Sequence, residues 1–162
     1  MSTIPLDLQD KKVVVYQENP IWEKTISLWC RHYGFGEIKS FTDKDKLENY
    51  CEDNHFQIDL IILDFYDKGE SNRELIKALR KINEENLIIA ISADFINDMS
   101  VLDTEEMAKA LYAGANRVSI KEIKSLQLII EQHLALRMHS DYDKIKTDPK
   151  SYFNIINTDK ER

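Results

Sequence analysis

The sequence predicts a single α/β domain built on a parallel sheet, with helices covering both faces. Two observations predict it: short apolar runs alternate with stretches of helical periodicity, and the run Leu60-Ile61-Ile62-Leu63 stops abruptly on a carboxylate, Asp64. Runs of this length that are apolar throughout suit strands buried on both faces, as parallel sheets require. Their alternation with helical patterns gives repeated βα units, whose right-handed crossovers lay helices on each side.

Each element has its own warrant. The β-branched Val13-Val14-Val15 marks a first strand over 11–16. Pro20 stands where a helix begins, since its missing N–H is not needed in the first turn. Trp22, Ile26, Trp29 and Tyr33 then recur at helical spacing as a core stripe, and Gly34 and Gly36 end the helix. A second strand over 37–41 precedes a charged helix over 43–53, its apolar side carried by Leu47, Tyr50 and Cys51. The central strand over 59–65 leads to a helix over 71–83 with Leu75, Ile76, Leu79 and Ile82, for which Ser71 or Asn72 is a suitable cap. A fourth strand over 87–91 ends at Ser92. After a polar loop, 94–103, come a helix over 104–113 closed by Gly114, a fifth strand over 116–120 reaching Lys121, and a last helix over 122–138. That helix lines up Ile123, Leu126, Ile129, Ile130 and Leu134.

Composition limits the function. The 162 residues, 43% hydrophobic and 31% charged, fit one core of ordinary size with short tails. The expected layout is an N-terminal extension over 1–10, one domain over 11–138 and a tail over 139–162. A net charge of −7 opposes a direct nucleic-acid role, because phosphate binding needs a basic face. Cys30 and Cys51 fit no zinc or redox spacing and read as core thiols. His32, His55, His133 and His139 read as surface or packing residues. No stretch approaches the roughly 20 apolar residues of a membrane span, and no apolar signal core opens the chain, so a cytoplasmic protein is expected. The tail holds a small apolar patch, Tyr152, Phe153, Ile155 and Ile156, and reads as a frayed end or as a docking arm.

The chemistry gathers at strand ends. The first strand offers Glu18, the third Asp64, the fourth Ser92 and the fifth Lys121. In open α/β sheets ligands bind at the carboxyl edge, near the topological switch point. Two carboxylates and a backbone carbonyl make a hard-oxygen set suited to Mg²⁺, which prefers to bind together with a phosphate. Asp64 is then a nucleophile toward phosphorus, with Lys121 neutralising charge and Ser92 donating a hydrogen bond.

These pieces, with Val-Val-Tyr-Gln-Glu-Asn-Pro, Glu74-Leu75, Ile91-Ser92-Ala93, Ala113-Gly114-Ala115 and Ser119-Ile120-Lys121, occur in one order over about 11–133. In that order and spacing the chain resembles the receiver domain of two-component response regulators, of the single-domain, chemotaxis-regulator type. The resemblance implies a flavodoxin-like (βα)5 three-layer sandwich with strand order 2-1-3-4-5. It implies Asp64 as phosphoacceptor, with Ser92 as switch hydroxyl and Lys121 on the phosphoryl group. Mg²⁺ would be held by Glu18, Asp64 and the Tyr66 backbone carbonyl, with Asp67 a further candidate. The implied partners are a histidine kinase or histidine phosphotransfer protein and a downstream protein target, with a homodimer as a candidate assembly; nucleic acid and membrane are not among them. Such a domain is not a turnover enzyme, although it catalyses its own phosphorylation.

The chain also departs from that pattern. Gln17 replaces the first member of the acidic pair, and Asp67-Lys68 and Ser71-Asn72 stand where Met-Pro and Asp-Gly landmarks are usual. Val118 replaces the aromatic that moves with the switch hydroxyl, Glu122 replaces a proline, and the segment from Ser92 to Gly114 is several residues longer. These departures set a pseudo-receiver adaptor, acting without phosphorylation, beside the phosphoacceptor reading. A different enzyme or nucleotide binder ranks below both, since no Gly-rich phosphate loop follows the first strand.

Overall fold

The computed structural model describes residues 8–54, 57–96, 99 and 101–138, with side chains through Leu134. Five parallel strands form one sheet: β1 (Lys12–Tyr16), β2 (Glu37–Phe41), β3 (Leu60–Asp64), β4 (Leu87–Ile91) and β5 (Arg117–Ser119). Their order is β2-β1-β3-β4-β5, the flavodoxin-like (βα)5 arrangement. Every residue of β1, β3 and β4 is buried, as their apolar runs require. β2 lies at an edge and is mostly exposed, and its charged sequence Glu-Ile-Lys-Ser-Phe suits that place.

Five helices follow the strands: α1 (Pro20–Tyr33), α2 (Lys44–Asn54), α3 (Arg73–Ile82), α4 (Thr104–Ala113) and α5 (Ile123–Met138). Asn19 caps α1 by accepting the Ile21 N–H at 2.8 Å, Pro20 fills the first helical position, and Gly34 ends the helix at φ 116°. Leu47 and Cys51 of α2, Leu75, Ile76 and Leu79 of α3, and Ala110 and Ala113 of α4 pack with Val14, Ile61, Leu63, Ile88 and Ala90 in one core cluster. The alternate strand residues point to the opposite sheet face. Both cysteines are buried free thiols, and burial pushes each up to about 12.

Residues 7–126 form one compact unit. Beyond it, residues 127–138 continue α5, where Ile129, Ile130, His133 and Leu134 are buried and Gln127 Nε2 donates to Glu131 at 3.1 Å. Of the expected N-terminal extension over 1–10, residues 1–7 lie outside the described residues, as do the expected tail over 139–162, His55 and His139.

The structure corrects several boundaries. The central strand ends at Asp64, and a two-residue hairpin, Tyr66–Asp67 with Glu70–Ser71, fills the space before α3. Its tip, Lys68-Gly69, has φ of 49° and 83°, so both central residues are left-handed as a tight primed turn demands. Asn72 precedes α3 but makes no side-chain cap; its amide is spent on the Asp64 carbonyl at 2.6 Å. Within the α1 stripe only Ile26 is fully buried, and Cys30 one turn on is its true core neighbour. Trp29 and Tyr33 instead stack on each other, half-buried, 4.9 Å between ring centroids. The polar loop before α4 holds a short 3-10 turn, Ala93–Phe95, and a bridge between Ile96 and Leu102.

Candidate functional site

Parallel pairing brings the strand ends to one edge. Tyr16 lies opposite Leu63, Asp64 opposite Ile91, and Ile91 opposite Ser119, so the residues that follow each strand share the carboxyl edge. Backbone bonds lock that edge: Phe65 N–H donates to the Ile91 carbonyl at 2.9 Å and Ser92 N–H to that of Ser119 at 3.1 Å.

Asp64 is only 3% exposed. Its carboxylate meets the Lys121 ammonium at 3.3 Å and accepts the backbone N–H of Glu18. Burial nevertheless pushes Asp64 up to about 6, against the pull of Lys121 and with a further push from the Asp67 charge. Lys121 is held in turn by Trp22, its Nζ 5.3 Å from the ring centroid, a cation–π contact.

The other expected residues are placed less simply. Glu18 reaches Asp64 through its backbone, while its carboxylate faces Lys68 at 3.9 Å. Asp67 is buried at the foot of the hairpin; Oδ2 accepts a hydrogen bond from the Tyr16 hydroxyl and lies 3.7 Å from Lys44 Nζ, and Oδ1 has no partner among the described residues. Ser92 is buried and its Oγ accepts the Asp94 N–H at 3.0 Å, capping the 3-10 turn and leaving its own proton to donate. Gln17 is wholly buried and donates to the Tyr16 carbonyl at 2.8 Å, so it brings no charge to the site. Val118 is half-buried against the core cluster.

Sequence reasoning missed Tyr16, Lys44, Trp22 and Asn72. Tyr16 meets Asp67 across 51 positions, and no local pattern announces such a pair. The only hint lay in Asp67 itself, an acid on a short loop that has to be compensated once buried.

Among the described residues no group of three His, Cys, Asp or Glu side chains is drawn together as a metal cluster. The expected donors are two carboxylates and a carbonyl, with Asp67 as a further candidate, all hard oxygens, and Asp67 Oδ1 is buried without a hydrogen-bond partner among the described residues. That donor chemistry suits Mg²⁺. A polar cleft of about 550 Å³ opens at the opposite edge, between Lys11, Lys12, Glu37 and Asp59. Its charges pair with one another, Lys12 with Glu37 at 3.3 Å and Lys11 with Asp59 at 3.9 Å, and it is not where the strand-end chemistry lies.

No family model matches the sequence, and no curated protein does. Solved structures match it closely in fold. The receiver domain of the histidine kinase CKI1 from Arabidopsis thaliana, complexed with Mg²⁺, is 19% identical with a TM-score of 0.64, over 78% of this chain and 95% of that one. A two-component response regulator from Clostridium difficile is 17% identical with a TM-score of 0.65, over 80% and 99%. The receiver domain of Saccharomyces cerevisiae Ssk1, crystallised with the histidine phosphotransfer protein Ypd1, is 16% identical with a TM-score of 0.67, over 82% and 94%. The fold is that of receiver domains.

Proposed function

We propose that the chain is a phosphoacceptor receiver that takes a phosphoryl group from a phosphohistidine onto Asp64 and signals through altered protein contacts. The observation that carries this reading is the buried Asp64 carboxylate, paired with Lys121 at the carboxyl edge of the sheet and flanked by Ser92 at the end of the neighbouring strand. A carboxylate kept from water at this cost serves chemistry better than stability.

In the transfer, an Asp64 oxygen forms the new bond to phosphorus as the P–N bond to the donor imidazole breaks. That bond's electron pair stays on the imidazole nitrogen, which takes up a proton. Lys121 already stands at Asp64 and neutralises charge on the phosphoryl oxygens. Ser92, whose Oγ accepts the Asp94 N–H, keeps its own proton to donate to one of them. Asp64, Glu18 and the Tyr66 carbonyl, with Asp67 as a further ligand, would hold Mg²⁺, which when bound supplies the remaining positive charge.

The donor is a histidine kinase or a phosphotransfer protein; the Ssk1 receiver, of the same fold, was crystallised with such a protein. The readout is a downstream protein, in a cytoplasmic setting. Among the described residues no helix is long and apolar enough to cross a membrane.

The test is intact mass after incubation with a small-molecule phosphodonor and Mg²⁺. One added phosphoryl group, absent in Asp64→Ala, is expected. A folded protein that takes up none and does not respond to beryllofluoride would be an adaptor with constitutive contacts instead.

A further inference from the structure

Two chains of contact lead from Asp64 to α4. The first runs through the core: Phe65 packs on Phe95 with ring centroids 5.7 Å apart, and the Phe95 carbonyl accepts the N–H of Asp103 at 2.8 Å. Asp103 caps α4 by accepting the Glu106 N–H at 3.1 Å. The second is shorter. The Tyr66 hydroxyl donates to Glu106 Oε2, whose other oxygen is held by Lys109 at 2.6 Å. Residues 64–66, Phe95 of the 3-10 turn and the first turn of α4 therefore close a ring.

We propose that the Tyr66–Glu106 hydrogen bond is a latch that ties α4 to the unoccupied state of the Asp64 loop and is released when that carboxylate is occupied. The inference rests on the receiver reading and adds the route by which the site reaches a distant surface. Its physical basis is confinement. A phosphoryl group on Asp64 brings three oxygens into a site that is almost fully buried, and close-packed surroundings answer by switching arrangement rather than by yielding gradually. Tyr66 is two residues from Asp64 and is packed edge-on against Phe65, at 4.9 Å between centroids, so its backbone moves with the loop. Its phenol then leaves Glu106. Val118, half-buried and without a polar atom, has no comparable reach.

A latch that favours the empty state opposes binding, and the coupling is reciprocal. Tyr66→Phe deletes the donor while keeping the ring and the backbone carbonyl. Glu106→Gln keeps an acceptor oxygen and serves as the conservative control. Hydrogen exchange of the α4 amides, 104–113, reads the helix; Trp22 fluorescence, through Lys121, reads beryllofluoride binding with Mg²⁺.

In the unmodified protein beryllofluoride is expected to speed α4 exchange several-fold. Tyr66→Phe is expected to show that faster exchange without ligand and to half-saturate at a several-fold lower beryllofluoride concentration, with Glu106→Gln near the unmodified protein. Unchanged α4 exchange and unchanged half-saturation in Tyr66→Phe would overturn the latch while the receiver reading stands. A folded protein that binds no beryllofluoride in any variant would overturn the receiver reading, and the latch with it.

Discussion

Asp64 is an acid whose folded form holds its proton more tightly than the unfolded chain does, because burial raises it to about 6. Between about pH 4 and pH 6 the native state therefore binds more protons than the unfolded one, and stability falls as pH rises through that window. With the pull of Lys121 already counted in that value, the rise corresponds to roughly 2–3 kcal/mol. In chelator, Asp64→Asn should thus gain on the unmodified protein as pH goes from 4 to 7, by up to about 2 kcal/mol. Urea denaturation across that range checks it, and parallel stability curves would mean that Asp64 ionises without penalty. Gly36 gives a second residue-scale case. A Cβ there would fall 1.7 Å from the Gln9 carbonyl oxygen, a backbone atom that cannot step aside alone. Gly36→Ala should cost about 2 kcal/mol or more, seen as a lower urea midpoint with an unchanged slope.

At the scale of elements, the hairpin over 66–71 decides how the site is framed. It brings Asp67 under Tyr16 and Lys44, and it orients Tyr66 toward α4. Its turn needs left-handed backbone at Lys68 and Gly69, and Gly69 meets that need without a Cβ. Gly69→Ala should destabilise by about 1 kcal/mol and slow phosphorylation of Asp64, since the loop that carries Tyr66 and Asp67 loses its fixed shape. A stability loss with an unaltered phosphorylation rate would show that the hairpin tip is mere connection. This element was also the least legible in the sequence. Strands such as Leu60–Asp64 announce themselves through unbroken apolar runs, and α1 through Asn19-Pro20 and Gly34, because those signals are local. The hairpin has only two paired residues on each side and is fixed by distant partners, so period and propensity had nothing to register. For the same reason Asp64, Ser92 and Lys121 were legible as strand-end groups, whereas Glu18 turning to Lys68 and Ser92 bonding to Asp94 were not.

Over the whole 7–126 unit, the two edges of the sheet do different work. The carboxyl edge accepts a buried carboxylate and unpartnered polar atoms, features that cost stability. The amino edge is bound tightly. Arg80, near the end of α3, donates to the Gly114 carbonyl at 3.0 Å, to the Asn86 carbonyl at 2.9 Å and to Asn116 Oδ1 at 2.7 Å, joining α3 to the starts of β4 and β5. Asn116 Oδ1 also accepts the Ile88 N–H at 2.8 Å, which fixes the register of the two strands. Removing the guanidinium leaves several of these acceptors without their donor, each worth on the order of 1 kcal/mol. Arg80→Met should therefore lose about 2–3 kcal/mol, because its shorter apolar chain restores none of the bonds. These bonds of Arg80 run to the starts of β4 and β5 at the amino edge, whereas Asp64 lies at the carboxyl edge, and the variant should half-saturate with beryllofluoride as the unmodified protein does wherever both are folded. If the variant binds it several-fold more weakly at low denaturant, the amino-edge clamp sets the geometry of the site, and scaffold and chemistry are not separable along the strands.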